Sequence, residues 1–349
     1  MTGVPRPVRH PAAVTIMVAA GVLVMMLLAA CGPAGRGGAA NGTASGAQRT
    51  GMAGFTGSAA RSHGPVADSH SGGTDRSAGE AGTSRKAGGS GGAYVALGDS
   101  FTSAPLVPDQ GGLPVGCLRS DKDYPSLVAA AIHPSSFTDV SCYGAATAAM
   151  TGSEKALNAS NPPQLNALGP GDTLVTVQVG GDDIGVGHIA TTCAGLSITD
   201  PFGSPCTRHY TEGGTDQLAQ AVARTAPKAA SVLRAIAQRA PHARILLVGY
   251  PVILPASGGG CWPEVPIAGG DVPYLRGVEI RLNAMLATEA ARNGATFVDT
   301  YTASIGHDAC QRPGVKWAEG LVPTSLAVPF HPNARGEQAM AREVVAALR

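Results

Sequence analysis

The sequence has no cluster of basic residues: its 25 Lys and Arg are balanced by 24 Asp and Glu, and the formal net charge is +1. Proteins that bind nucleic acid neutralise its phosphates with clustered Lys and Arg, so we expect no nucleic-acid partner. The sequence also has no Cys-x-x-Cys pair, and no His lies at ligand spacing from the cysteines. Structural zinc sites are built from such pairs, so we predict no metal and no cofactor.

Large apolar residues are almost absent between Gly32 and Gly92, where Gly, Ala, Ser and Thr dominate. A segment of this composition cannot bury enough surface to offset the entropy that it would lose on folding. We therefore expect residues 32–92 to form a disordered tether. The remaining residues, 93–349, are predicted to form one folded domain.

Residues 1–31 have the pattern of an export signal. Arg6 and Arg9 precede an apolar stretch that ends in Leu28-Ala29-Ala30-Cys31, as in secretory signals. The last four residues, followed by Gly32, resemble the bacterial lipobox, which implies lipidation of the Cys31 thiol. The alternative is an uncleaved transmembrane anchor, because the run approaches the ~20 residues that span a bilayer. We expect the protein to be held on the outer face of the bacterial membrane, or to be secreted.

Six cysteines remain when Cys31 is set aside, and an even number in an exported domain favours three disulfides. The sequence alone leaves their pairing open: Cys117, Cys142, Cys193, Cys206, Cys261 and Cys310.

Short apolar runs rich in β-forming residues recur along the domain, and helix-like stretches lie between several of them. The runs are Tyr94–Leu97, Phe137–Cys142, Thr173–Val179, Arg244–Val248 and Thr296–Val298. Helices are predicted at 124–132, 216–239, 276–292 and 334–348, with Pro227 expected to kink or split the second. This alternation predicts an α/β fold: a central, mostly parallel sheet covered by helices on both faces, in a three-layer α/β/α sandwich.

Residues that could take part in catalysis follow the predicted strands. The carboxyl ends of parallel strands share one edge of a sheet. Ser100 lies in Gly98-Asp99-Ser100-Phe101 after the first run, and Gly144 follows the second. Gly180-Gly181-Asp182-Asp183 follows the third run, and His331 precedes the last helix. Each has an ordinary explanation, such as a turn glycine, but four such items at one edge indicate a catalytic site.

These four blocks resemble those of the GDSL/SGNH hydrolases, in order and spacing, over the whole region 93–349. The six cysteines and the ending Pro329-Phe330-His331-Pro332-Asn333 are most similar to the secreted actinobacterial lipase/esterase branch. The resemblance implies disulfides between sequence neighbours, namely Cys117–Cys142, Cys193–Cys206 and Cys261–Cys310.

The resemblance also implies roles. Ser100 would attack an ester carbonyl, and His331 would take its proton and later return it to the leaving alcohol. The oxyanion would be bound by the backbone N–H groups of Ser100 and Gly144 and by an asparagine of the third block. Here that position holds Asp182, and an ionised carboxylate has no hydrogen to donate. Either burial keeps Asp182 protonated, or another donor replaces it, or the enzyme is slow.

A second departure concerns the group that orients the imidazole. Three residues before the histidine, family members often have Asp, whereas this sequence has Val328. Some actinobacterial members use a Ser–His dyad, so we expect the Val328 backbone carbonyl to accept from His331, with Asp308 as a distant alternative. His188 lacks partners for a metal site. Trp262 and Trp317 are expected to pack near the disulfides or to line the acyl groove.

The predicted function is that of a monomeric serine esterase or lipase, tethered outside the cell membrane, that hydrolyses ester or lipid substrates. A second hypothesis is an esterase that removes O-acyl groups from cell-envelope polysaccharide. A third is a catalytically weak module that binds lipid or glycan in the same crevice. Asp182 favours this last hypothesis, whereas Ser100 and His331 argue against it because a binding module needs neither.

Overall fold

The computed structural model describes residues 91–156 and 159–349. The predicted signal segment 1–31, its lipidation site Cys31 and the predicted tether as far as Ser90 lie outside the described residues. The first strand begins at Gly91, so the last two residues that we assigned to the tether belong to the sheet.

Five parallel strands form the central sheet in the order β4-β1-β7-β8-β9, and two short antiparallel ribbons, β2–β3 and β5–β6, lie outside it. The strand bounds are β1 Gly91–Gly98, β2 Gln110–Gly111, β3 Arg119–Ser120, β4 Pro134–Asp139, β5 Glu154–Ala156, β6 Ala159–Asn161, β7 Asp172–Gln178, β8 Arg244–Val248 and β9 Thr296–Val298. The predicted parallel sheet and three-layer α/β/α class are confirmed.

The strand β4 lies three residues earlier than the predicted run Phe137–Cys142. Its register with β1 runs from Pro134 opposite Gly91 to Asp139 opposite Ala96. Beyond Asp139 the chain still donates to β1, from the Cys142 N–H to the Gly98 carbonyl at 3.0 Å. The apolar residues at the end of the run therefore lead from the sheet into the loop after β4.

The helices cover both faces of the sheet, and their bounds are α1 Ser100–Ser103, α2 Tyr124–Ile132, α3 Gly181–Ile184, α4 Val186–Ser197, α5 Pro205–Thr211, α6 Gln217–Arg239, α7 Val272–Arg292, α8 Thr300–Ala303 and α9 Ala334–Ala347. Within the described ranges, none of these helices is both long and apolar enough to cross a membrane. The helix α7 begins four residues before the predicted Arg276.

The helix α6 runs on through Pro227, so the predicted split at this residue is wrong. A proline in a helix removes one backbone hydrogen bond, but here a stripe of buried side chains holds both halves against the core. This stripe includes Leu218, Leu233 and Ile236. At the start of α6, the Asp216 carboxylate accepts the N–H groups of the first turn.

The alternation of side chains along the strands divides the core into two layers. In β8, Ile245 and Leu247 pack with residues of α6 and α7 on one face of the sheet. Leu246 and Val248 pack with residues of α2 and α9 on the other face. Each such aliphatic side chain contributes about 1.5–3 kcal/mol when fully buried, and the two layers hold the strand ends of the crevice in place.

The structure contains the three disulfides that the resemblance implied: Cys117–Cys142, Cys193–Cys206 and Cys261–Cys310. The first is buried beside the candidate site. It joins the segment between β2 and β3 to the loop after β4, and the neighbouring Tyr143 N–H donates to the Cys117 carbonyl at 3.1 Å.

Candidate active site

Ser100 is the first residue of α1, the short helix that leaves the carboxyl end of β1. Asp99 caps this helix, because its carboxylate accepts the Phe101 N–H at 2.9 Å. An amide at the first helical position has no acceptor within its own helix, so the Ser100 N–H lies outside the hydrogen-bond ladder of α1. Strand end and helix start thus place the hydroxyl and amide of Ser100 together at the edge of the sheet.

Ser100 and His331 are in contact: the serine Oγ lies 2.8 Å from the imidazole Nε2. The other ring nitrogen, Nδ1, lies 3.0 Å from the backbone carbonyl of Pro329. Because a carbonyl only accepts hydrogen bonds, the proton is assigned to Nδ1, and Nε2 presents its lone pair to the serine. The structure therefore brings together the serine and the histidine predicted from the sequence.

The carbonyl that orients His331 belongs to Pro329, so the prediction of Val328 is wrong. Phe330 has a φ of 62°, and this left-handed turn folds the imidazole back towards the residue two positions earlier. The Val328 carbonyl instead accepts the backbone N–H of His331 at 3.1 Å.

The imidazole of His331 packs against two aromatic rings, with ring centroids 4.8 Å from Phe101 and 6.1 Å from Tyr143. Burial lowers the pKa of His331 from 6.5 to about 4, and the hydrogen bond to Pro329 opposes this shift in part. The imidazole is therefore neutral at physiological pH and can accept a proton from Ser100.

A buried ion pair lies at the base of the loop that carries His331. Lys316 Nζ lies 2.8 Å from one carboxylate oxygen of Glu319, and Asn333 Nδ2 donates to the other at 2.7 Å. The backbone N–H of Glu319 donates to the His331 carbonyl, and the Phe330 N–H donates to the Glu319 carbonyl. This cluster could not be predicted from the sequence, because polar residues in an irregular loop carry no periodic signal.

Gly144, the glycine of the second block, lies in the loop after β4. Its φ is 85°, a left-handed conformation that glycine adopts without steric cost. It is exposed, and a Cβ at this position would meet nothing within 4 Å. Its peptide therefore borders open space.

Asp183 connects the second and third blocks. Its carboxylate accepts from the Thr147 N–H at 2.8 Å and from the Thr147 hydroxyl at 2.6 Å. The same carboxylate lies 3.1 Å from Lys228 Nζ.

Asp182, the residue that departs from the family, lies in the first turn of α3. Burial raises the pKa of Asp182 well above its usual 3.8, and the negative charges of Asp99 and Asp183 raise it further. Within residues 91–156 and 159–349, no hydrogen-bond donor satisfies its carboxyl group. These effects shift the equilibrium towards the protonated form, which carries an O–H that can donate.

Tyr250, which no sequence pattern singled out, connects the first and third blocks. Its hydroxyl donates to the Asp99 carboxylate at 2.5 Å and accepts the Gly181 N–H at 2.8 Å. Burial raises the pKa of Asp99 to about 7 despite this bond. The signal that was available is position: Tyr250 comes two residues after the end of β8, at the edge of the sheet where Ser100 lies.

Other residues that the sequence singled out lie apart from the dyad. Asp308 accepts from the Cys310 N–H and the Gln311 side chain, so it does not orient the imidazole. His188 is exposed on α4. In the part of the chain that the structure describes, no group of three or more His, Cys, Asp or Glu side chains is arranged to hold a metal ion.

The aromatic rings that pack against His331 are those of Phe101 and Tyr143, not those of the two tryptophans. The ring of Trp317 stacks on His307 with centroids 3.8 Å apart, and the Arg342 guanidinium lies 5.8 Å from the Trp317 ring centroid. Trp262 follows Cys261 directly, next to the third disulfide.

Comparison with known proteins gives a consistent result. Residues 96–339 match the model of the GDSL-like Lipase/Acylhydrolase family. Lipase 2 of Streptomyces coelicolor is 40% identical over 260 residues, which cover 72% of this chain and 84% of that lipase. Lipase 1 of the same organism is 31% identical over 245 residues, which cover 70% of this chain and 82% of that lipase.

Solved structures are similar over the same region. Phospholipase A1 from Streptomyces albidoflavus NA297 has a TM-score of 0.60 at 28% identity, covering 74% of this chain and 99% of the phospholipase. The extracellular lipase of Streptomyces rimosus has a TM-score of 0.59 at 28% identity, covering 74% of this chain and all of the lipase (100%).

The parallel five-stranded sheet between two helical layers is the α/β architecture of the SGNH hydrolases. The chain belongs to the GDSL-like lipase/acylhydrolase family, and it is a carboxylic ester hydrolase of the lipase/esterase type.

Proposed function

We propose that Ser100 and His331 form a catalytic dyad that hydrolyses carboxylic esters through a covalent acyl-enzyme. The observation that carries the proposal is the 2.8 Å contact between Ser100 Oγ and the unprotonated Nε2 of His331. Because the pKa of His331 is lowered to about 4, the imidazole is in its basic form at neutral pH.

In acylation, the Ser100 oxygen bonds to the ester carbonyl carbon while its proton passes to His331 Nε2. The imidazolium gives this proton to the leaving alkoxide as the ester C–O bond breaks. In deacylation, water attacks the acyl carbon, His331 takes its proton, and the proton returns to Ser100 as the acid leaves. The Pro329 carbonyl, 3.0 Å from Nδ1, stabilises the imidazolium in place of a carboxylate.

The oxyanion is proposed to lie between three donors. Two are the backbone N–H groups of Ser100, at the first position of α1, and of Gly144, whose peptide borders open space. The third is the O–H of protonated Asp182, which is supported by the burial and neighbouring charges that raise its pKa. Preorganised donors of this kind contribute about 2.7–4 kcal/mol each to stabilising the transition state.

A fluorophosphonate probe tests the nucleophile. Wild type is expected to be labelled and to hydrolyse p-nitrophenyl esters, and Ser100→Ala is expected to do neither. Ser103→Ala is the matched control, because this buried serine of the same helix has a hydroxyl without a hydrogen-bond partner among the described residues. Labelling of Ser100→Ala at the wild-type level would exclude Ser100 as the nucleophile.

We further propose that the protein acts outside the cell on esters of lipids, as a monomer held to the membrane by lipidated Cys31. The lipobox-like sequence and three disulfides support export, and the names of the related lipases and of the phospholipase support a lipid ester. Mass spectrometry of the mature protein is expected to find an N-terminal diacylglyceryl cysteine. An unmodified N-terminus at another residue would refute the anchor.

A further inference from the structure

Glu319 is a fully buried acid in the loop before His331. Its carboxylate accepts hydrogen bonds from Lys316 Nζ at 2.8 Å and from Asn333 Nδ2 at 2.7 Å. It also accepts from the N–H and the hydroxyl of Thr324, at 2.7 and 3.2 Å. Burial opposes ionisation, but the bonds from Lys316 and Asn333 lower the pKa of Glu319 overall. The acid is therefore ionised at neutral pH, and none of these four bonds comes from the imidazole.

The backbone of Glu319 pairs with the residues that set the direction of the imidazole. Its N–H donates to the His331 carbonyl at 3.1 Å, and its carbonyl accepts the Phe330 N–H at 3.0 Å. Phe330 is the left-handed residue, with a φ of 62°, that turns Nδ1 towards the Pro329 carbonyl. Such a conformation is unfavourable for a side chain other than glycine, so it persists only where its surroundings hold it.

Asn333 extends this hold to the residues that follow the histidine. Its side-chain oxygen accepts the N–H groups of Arg335 and Gly336 at the start of α9, and its N–H donates to the Trp317 carbonyl at 2.8 Å. A Cβ at Gly336 would lie 2.5 Å from the Trp317 carbonyl oxygen. The start of α9 therefore packs directly against the segment that carries Glu319.

Val328 stands where family members often have the orienting acid, and its backbone is bonded elsewhere. Its N–H donates to the Pro105 carbonyl at 3.0 Å, and its carbonyl accepts the His331 N–H at 3.1 Å. The imidazole is oriented by the Pro329 carbonyl instead. Because the peptide unit is planar, this carbonyl cannot turn unless the chain turns with it. Whatever fixes the chain between residues 316 and 333 therefore fixes the imidazole.

From these contacts we propose that Glu319 is a positioning residue for His331: its carboxylate holds the loop in the geometry in which the Pro329 carbonyl meets Nδ1. It acts through the backbone, in place of an acid beside the ring. The proposal rests on the Ser100–His331 dyad proposed above, and it names the group on which the geometry of that dyad depends.

The expected effect concerns geometry and not charge, because Lys316 neutralises Glu319 at 2.8 Å. A displacement of about 1 Å caused by a mutation outside the reacting atoms costs about 10² in rate. Glu319→Gln is therefore expected to lower kcat for a soluble p-nitrophenyl ester by about 10- to 100-fold. Little change is expected in KM, because the substitution leaves the groups that contact the ester in place.

The Nδ1 proton of His331 reports this geometry without any substrate. In the full wild-type chain it is expected to give a downfield proton resonance that exchanges slowly with water, and His331→Ala identifies the resonance by its loss. Glu319→Gln is expected to broaden or lose the resonance at a temperature at which the protein remains folded.

Asn333→Ser is a second variant, in case the unpaired Lys316 prevents Glu319→Gln from folding. Serine still caps a helix, and the Lys316–Glu319 pair remains, but the amide that reaches Glu319 is removed. The kcat and the resonance are expected to change in the same direction as in Glu319→Gln.

The matched control is Asp271→Asn. Asp271 is likewise 0% exposed, and its carboxylate accepts three hydrogen bonds at the start of α5. This variant is expected to unfold at a lower temperature than wild type but to keep the wild-type kcat and resonance.

Three results would overturn the positioning role. These are a wild-type kcat and resonance in a folded Glu319→Gln or Asn333→Ser protein, equal losses in Asp271→Asn, which would make stability alone the cause, and absence of the resonance from wild type. A failure of the proposed function is recognised separately, by equal fluorophosphonate labelling of wild type and Ser100→Ala.

Discussion

Replacing Asp182, the residue that departs from the family, by asparagine tests whether its carboxyl group acts in the protonated or in the ionised form. The amide is close in size to a carboxylic acid, donates at every pH and never ionises. Wild-type Asp182 donates only while it is protonated, and burial together with the charges of Asp99 and Asp183 raises its pKa well above 3.8.

The expected magnitude follows from the loss of one oxyanion donor, which lowers kcat by about 10²–10³. Below the pKa of Asp182, wild type and Asp182→Asn are expected to have similar kcat. As pH rises through that pKa, wild-type kcat falls towards a floor about 10²–10³ lower by the same reasoning, because the carboxylate no longer donates and repels the oxyanion. The Asn variant lacks this fall.

The assay is kcat for a neutral p-nitrophenyl ester across the pH range, with Ser100→Ala as the blank for spontaneous hydrolysis. Asp99, whose pKa is raised to about 7 by burial, is present in both proteins, but its charge interacts with that of Asp182. A fall in kcat that Asp99 causes is therefore expected in both profiles, at a lower pH in Asp182→Asn, and the test is whether the fall disappears. Identical profiles for wild type and Asp182→Asn would show that Asp182 does not serve the oxyanion.

Thermal unfolding gives an independent check of the same pKa. A carboxyl whose pKa is raised on folding favours the folded state at low pH and costs stability once the unfolded chain ionises, above about pH 3.9. Asp182→Asn is therefore expected to unfold at a higher temperature than wild type at pH 8, and the difference is expected to vanish near pH 3.5.

Three further outcomes are expected. The kcat/KM of wild type should fall about tenfold per pH unit only below about pH 4. Burial lowers the pKa of His331 to about 4, and imidazolium cannot take the serine proton. A fall in kcat/KM that begins near pH 6.5 would contradict this lowered pKa. Tyr250→Phe should lower the free energy of unfolding by about 1–3 kcal/mol, because Asp99 and the Gly181 N–H lose their shared partner; unchanged denaturant unfolding would refute it. Replacing Cys117 and Cys142 by serine should cost about 3.5 kcal/mol for a loop of 25 residues, and a loss below 1 kcal/mol by the same measurement would exclude a stabilising bridge.

The parts of the site that follow strand ends could be predicted from the sequence. Ser100 and His331 meet because the carboxyl ends of parallel strands share an edge, and the apolar runs marked those strands. The choice between the Val328 and Pro329 carbonyls could not be predicted, because it depends on one left-handed residue, Phe330. Single dihedral angles of non-glycine residues leave no mark in composition or periodicity.

Buried polar contacts likewise could not be predicted from the sequence. The Lys316–Glu319 pair and the hydroxyl of Tyr250 acquire their roles only from partners distant in the chain. Pro227 shows the reverse case, since a strong local signal was overridden by the packing of α6.

The two ends of the loop before His331 are joined by hydrogen bonds, so the position of the histidine does not depend on every residue of the loop. The Ala318–Pro332 bridge and the paired backbone bonds between Glu319 and residues 330–331 join its two ends, so residues 321–327 form a segment that begins and ends at a fixed place. Within the segment, Thr324 donates to the Glu319 carboxylate through its N–H and its hydroxyl. We therefore expect insertions or exchanges that keep Thr324 to leave the distance between the imidazole and Ser100 unchanged, so that one short loop can vary without moving the hydrolytic centre.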